Sequence, residues 1–283
     1  MNRRILFLIS FLILISVACT ITIPFPTIEP GETRIMNIAE TPSGSSAVSQ
    51  IAIEMNAGSL HLKGGGTNAI EGTIQYNIAE WEPQLTRFDN KITIQQKPGL
   101  PLQIPSDTII NKWDLSLGKN PTSLSVLANA YKGEINLSGV PLQKLEFKDS
   151  ASDNQLLFEE HNPETLELMT YTTTASTAVL KGLGFANISQ MKFDASAGAY
   201  TLDFTGQLQH PALATITGGG CNIKLIIPKG TASTIENNGT ATTVDVTKGN
   251  WNINQNVYKT EGESPQLNIK VEIGASRLEL IQQ

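Results

Sequence analysis

In Gly198-Ala199-Tyr200-Thr201-Leu202-Asp203-Phe204-Thr205-Gly206, the side chains of Tyr200, Leu202 and Phe204 fall on one side of an extended chain and those of Thr201 and Asp203 on the other. Alternation with period two is the mark of a strand with one buried face. The same alternation recurs from Gln50 onward: Ile51, Ile53 and Met55; Leu60 and Leu62; Ile74, Tyr76 and Ile78; Ile92 and Ile94; Trp113, Leu115 and Leu117; Ile135 and Leu137. It continues through Leu145 and Phe147, Leu166 and Leu168, Ile223, Leu225 and Ile227, and Leu267 to Ile273, and ends at Leu278 and Leu280. No comparable stretch holds the spacing of an amphipathic helix. Many half-buried strands separated by Gly, Asn and Pro turns make a sandwich, a barrel or a solenoid.

Repetition favours the solenoid. A unit of small residue, any residue, apolar, any residue, apolar appears at Gly58–Leu62, Gly133–Leu137, Gly198–Leu202, Cys221–Leu225 and Ser276–Leu280. The glycines that close such units, Gly182, Gly206 and Gly230, lie 24 residues apart, and Gly139 precedes Gly182 by 43. Stacked repeats give a fixed period of this size, because one coil cannot bury its apolar face without a neighbour. The fold expected is therefore all-β, a repetitive β-solenoid that follows an N-terminal signal and a flexible tether.

Several segments carry a family resemblance. Met55–Leu62, Glu71–Ile78 with Trp81-Glu82-Pro83, and Ile92–Gln96 resemble the N-terminal toast-rack domain of bacterial envelope proteins of unknown function. Ala197–Gly206 and Leu225–Pro228 resemble the toast-rack core, which is related to candidate adhesins and to the C-terminal domain of cell-wall-active antibiotic response proteins. The likeness spans roughly residues 50–281. It implies stacked strands and brings no catalytic residues.

The amino terminus reads as an export leader. Arg3 and Arg4 precede an apolar run from Ile5 to Ile15, and Ser16-Val17-Ala18 sets small residues before Cys19. The run is shorter than the ~20 residues a spanning helix needs. A small-residue stretch that ends in Cys resembles the lipobox of bacterial lipoproteins, which implies cleavage after residue 18 and a diacylglycerol on Cys19. Two acyl chains hold a protein on a membrane where one does not. Pro24, Pro26 and Pro30, then the Ser- and Gly-rich stretch Thr41–Gln50, suit a tether. The expected organisation is a signal peptide over 1–18, anchor and linker over 19–49, N-terminal toast-rack strands over 50–98 and the solenoid core over 99–283.

Chemistry is sparse. Charged residues make up 16% of the chain and the net charge is -6, or -8 once the leader's Arg3 and Arg4 are removed. No Lys/Arg cluster offers a footprint for nucleic acid. His61, His161 and His210 lack metal-ligand spacing, and Gly64–Gly66 and Gly218–Gly220 precede neither Lys-Ser/Thr nor a helix, so they read as turns. Glu159-Glu160 and Glu261-Gly262-Glu263 read as solvated carboxylates. Cys221 reads as a buried small hydrophobe, Trp113 and Trp251 as core or end-cap residues, and Trp81 as either core or surface.

The expectation is a non-catalytic envelope lipoprotein with no cofactor or metal. Its partners would be the membrane, through Cys19, and a wall polymer or an envelope protein. A regulator of envelope-stress signalling is the alternative, and a polysaccharide-acting β-helix enzyme or a lipid carrier stand behind it.

Overall fold

The computed structural model describes residues 30–44, 47–97 and 108–283. The leader, Cys19 and most of the proline-rich tether lie outside them. Among the described residues the regular structure is β-strand apart from one 3-10 turn at Ala79–Trp81, and no helix is long and apolar enough to cross a membrane.

Five long strands form the middle of the stack: β2 (Ser49–Lys63), β7 (Thr122–Asn136), β8 (Leu142–Leu157), β9 (Leu166–Lys181) and β10 (Ile188–Asp203). Each lies parallel to the next in the order β2-β7-β8-β9-β10. Down one column stand Ile51, Leu124, Leu145, Met169, Met191 and Ala214. From Leu124 onward the steps are 21, 24, 22 and 23 residues. The 24-residue period read from the closing glycines is thus a property of the loops, and the rungs themselves vary around it. Gly182, Gly206 and Gly230 all adopt positive φ. At Gly182 a Cβ would stand 1.8 Å from the Phe158 carbonyl oxygen, so the glycine is required there.

Every long strand bends once. In β8 the buried residues are Leu145, Phe147 and Asp149, then Asn154 and Leu156, a change from odd to even positions. Side chains of an extended strand alternate, so a change of phase needs two consecutive residues turned outward. That pair is Asn129-Ala130 in β7, Ser150-Ala151 in β8, Thr174-Ala175 in β9 and Ser196-Ala197 in β10; in β2 Asn56-Ala57 stands in register with these pairs but Ala57 is buried, and the phase changes at Gly58-Ser59. A polar or hydroxyl residue followed by Ala therefore marks each corner from β7 to β10. The corner folds the strand into two arms whose inward faces meet: Phe193 of the first arm contacts Tyr200 of the second, ring centroids 5.4 Å apart. The loop flank is closed by buried Leu137, Phe158, Leu183 and Phe204.

Beyond β10 the arms separate into different strands. β11 (Ala212–Gly219) continues the first arm and β12 (Cys221–Ile227) the second. β17 (Gly262–Gly274) lies on β11, and β18 (Arg277–Gln282) lies on β12. β13 (Gly230–Asn237) pairs with β17, and β14 (Thr243–Lys248) pairs with β18. A small hairpin of β15 (Asn252–Asn254) and β16 (Val257–Thr260) closes on β13. At the other end β5 (Lys91–Gln96) and β6 (Asn111–Leu117) cover the two arms of β2. β4 (Pro83–Phe88) lies antiparallel to β5, β3 (Ile70–Tyr76) antiparallel to β6, and β1 (Arg34–Glu40) antiparallel to β3.

Two details depart from the sequence reading. β1 lies inside the segment assigned to the tether, because Met36 and Ile38 alternate towards the core and Ile38 is buried against β3. The repeat unit at Gly133 is displaced by two residues: Tyr131, not Gly133, stands opposite Gly58. Gly133 instead leaves room for its neighbours, since a Cβ there would stand 2.4 Å from Asn154 Oδ1 and 2.7 Å from Tyr131 Cε2.

Candidate functional site

Two polar features stand out, one sealed in the stack and one open. The sealed one lies just inside the corners of β7 to β9. The buried Asp149 carboxylate accepts hydrogen bonds from the Tyr171 hydroxyl at 2.8 Å, from the Ser176 hydroxyl at 2.9 Å and from the Thr173 hydroxyl. Asn154 Nδ2 donates to the hydroxyls of Tyr131 and Tyr171 at 2.8 and 2.9 Å. Burial holds both phenols well above the ordinary value of 10.0, and the Asp149 charge adds to it. A neutral phenol is the form that donates to a carboxylate, so the shift supports the network. All of these side chains are buried, and the network therefore specifies how the rungs stack and has no access to a ligand.

The open feature is a cleft of about 890 Å³ beyond the ends of β12, β14 and β18. Its walls come from segments far apart in sequence: the turn at Lys229-Gly230, the stretch Gly249–Ile253, the end of β16 with Lys259 and Glu261, and Gln282. Gln282 Oε1 accepts the Asn250 backbone N–H at 2.9 Å and pins the stretch that carries Trp251. Gly249 has φ +108°, and a Cβ there would stand 2.3 Å from Cβ of Gln282, so only glycine lets the chain pass so close. Trp251 is half-buried, and its indole N–H donates to the Lys248 carbonyl at 2.9 Å, which holds the ring in place. The chemistry of the lining is one indole, two amines (Lys229 and Lys259), three amides (Asn250, Asn252 and Gln282), exposed Ile253 and one carboxylate, Glu261. A second cleft of about 320 Å³ shares Lys229 and Gly230 with it and reaches Glu263 and Pro265.

Other residues singled out from the sequence lie elsewhere. Cys221 is buried in β12, its thiol 3.5 Å from the Ser276 hydroxyl, as a small core residue. Trp113 is buried with its indole N–H on Asn111 Oδ1 at 2.8 Å, and Trp81 is buried too. His61 is exposed, with Nδ1 2.8 Å from Asp114 Oδ1. His161 packs edge-on to Phe185, and His210 Nδ1 lies 3.0 Å from the Pro211 carbonyl. Glu159 is exposed and holds the turn at Asn136 and Ser138. Among the described residues no group of three or more His, Cys, Asp and Glu side chains could hold a metal ion. Cys19 lies outside the described residues.

No curated protein matches the chain. Among solved structures it is similar to a candidate cell adhesion protein of Clostridium sporogenes, with 18% identity, a TM-score of 0.47 and coverage of 90% of this chain and 100% of that one. It is also similar to a candidate adhesin of Bacteroides fragilis, with 10% identity, a TM-score of 0.45 and the same coverage. Residues 30–170 match the model of the N-terminal domain of toast_rack, DUF2154, and over that span, about half of the chain, the protein belongs to the toast-rack family.

Proposed function

We propose that the protein is a non-catalytic binding module of the bacterial cell envelope, tethered to the membrane through a diacylated Cys19, and that the cleft at Trp251 takes an anionic wall glycan. The observation that carries this is the lining. An indole offers a flat apolar face for a sugar ring, the Asn250 and Asn252 amides offer paired donors and acceptors for hydroxyls, and Lys229 and Lys259 supply positive charge in a chain of net charge -6. One carboxylate against two amines leaves the cleft favourable to anions.

The test is titration of the purified protein with anionic and neutral wall polymers, read by isothermal titration calorimetry. Binding of the anionic polymer alone, weakened at least about ten-fold by Trp251→Ala and by Lys229→Gln with Lys259→Gln, is the expected result. Equal binding of a neutral glycan, or no effect of these variants, rejects the cleft as the site. The anchor is tested separately: labelled palmitate enters the natural protein and not Cys19→Ala, which leaves the membrane fraction.

A further inference from the structure

The large cleft and its smaller neighbour are two halves of one trough on the loop flank. The second arm passes from strand to strand in the order β10, β12, β18, β14. Lining residues come from the end of each in turn: Gly206–Leu208 after β10, Pro228-Lys229 after β12, Gln282 of β18 and Gly249–Ile253 after β14. The trough therefore follows the stacking direction. Neighbouring strands lie ~4.8 Å apart, so four strand ends span about 14 Å, longer than a single sugar ring.

The divide between the two clefts is low. Gly230 stands opposite Gly262 in the ladder of β13 on β17; both line the small cleft, and Gly230 lines the large one as well. Each glycine has a local cause: Gly230 has φ +83°, and a Cβ on Gly262 would stand 2.3 Å from the Gly230 carbonyl oxygen. Their joint effect is that this opposed pair puts no side chain where the clefts meet. A Cβ on Gly230 would meet nothing within 4 Å, so the space there is open.

Charge differs between the halves. In the large cleft Lys229 and Lys259 stand with one carboxylate, Glu261. The small cleft shares Lys229, adds no second amine and carries the Glu263 carboxylate; its other polar side chains are the Gln207 amide and the Thr231 and Ser264 hydroxyls. Leu208, Pro228 and Pro265 give it apolar surface. An acidic sugar suits the first half. In the second, Glu263 repels a carboxylate, whereas the hydroxyls of a neutral sugar find donors and acceptors.

We propose that the trough takes at least two consecutive sugars of a linear glycan in which acidic and neutral units alternate, the acidic one beside Trp251 and the neutral one across the glycine divide, beside Glu263. This rests on the glycan reading of the large cleft and adds the length and charge pattern of the ligand.

The experiment compares three probes on the full-length protein by calorimetry: glucuronate, measured by displacement; a hyaluronan tetrasaccharide, in which acidic and neutral sugars alternate; and a galacturonan tetrasaccharide, acidic at every ring. The hyaluronan tetrasaccharide is expected to bind at least about ten-fold tighter than either of the others. Asn tolerates positive φ, so Gly230→Asn raises a side chain on the divide without forcing the backbone, and it should bring the hyaluronan tetrasaccharide down to the level of glucuronate. Glu263 is exposed, and Glu263→Lys should raise the affinity for the galacturonan tetrasaccharide about ten-fold, a gain that misfolding cannot produce. Equal affinity for glucuronate and the hyaluronan tetrasaccharide, still lost in Trp251→Ala, would leave the large cleft as a binding site and overturn the trough. A galacturonan tetrasaccharide that binds as tightly as the hyaluronan one and ignores Glu263→Lys would overturn it too. No binding of any probe would remove the glycan reading of the cleft and this inference with it.

Discussion

The middle of the stack and its C-terminal end turn the same corner in two ways. From β7 to β10 the corner is a polar residue and Ala, neither with positive φ, and one strand passes through both arms. At the next rungs the corner residues are Gly219-Gly220 and Gly274-Ala275, with φ +68° at Gly220 and +49° at Ala275, and the strand breaks in two. Corner residues that stay out of the left-handed region keep the ladder continuous, whereas a left-handed residue, least costly as glycine, makes a true turn and ends it. The middle gains rigidity from this and a sealed polar network. The end gains loops free to diverge, and the cleft is built from those loops. Stability should therefore concentrate in the middle and binding at the end.

The largest effect that would sharpen this contrast is Tyr171→Ala. The ring stacks between Phe147 and Phe193 at 5.7 and 5.4 Å, and its hydroxyl holds Asp149. Its loss should cost about 4 kcal/mol of unfolding free energy in urea. Asp149→Ala comes next, at about 3 kcal/mol, because three buried hydroxyls lose their acceptor at once; a cost under about 1 kcal/mol would show the network to be dispensable. Alkaline pH tests the same region. The folded pKa values of Tyr131 and Tyr171 lie above 10.0. Their contribution is therefore complete below pH 10 and falls as pH rises past it, where the unfolded chain releases protons that the folded chain keeps. The loss should approach roughly 1.4 kcal/mol per group and pH unit, and Tyr131→Phe with Tyr171→Phe should flatten the slope. The smallest effect on stability belongs to the end: Trp251→Ala should cost within about 1 kcal/mol of unfolding free energy while polymer binding is lost. A large destabilisation there would break the division between the two regions.

The strands were legible in the sequence because burial on one face imposes period two, and nearly every apolar pair read that way is buried in the structure. The corners were not, although their signal is present: Asn129-Ala130, Ser150-Ala151, Thr174-Ala175 and Ser196-Ala197 recur once per rung. Small exposed residues leave no hydrophobic trace, and it is their pairing across rungs that gives them meaning. β1 escaped for another reason. It is an edge strand with a single buried residue, flanked by turn-forming residues that suit a tether. Trp251 read as a core or end-cap residue from its local phase. Its position at the mouth of a cleft depends on Lys229, Lys259 and Gln282, which periodicity cannot connect to it.

The register of β2 on β7 has a practical side. Ile51 stands opposite Leu124, so this rung takes 73 residues where later ones take 21 to 24. The surplus leaves and returns on the loop flank, and the hydrogen-bonded ladder does not shift by a single residue across the gap. Entropy penalises a longer loop only slowly as it grows. The loop flank is accordingly a natural docking port for grafted segments, from epitope tags to whole reporter domains, with the two arms left to fold as they do now.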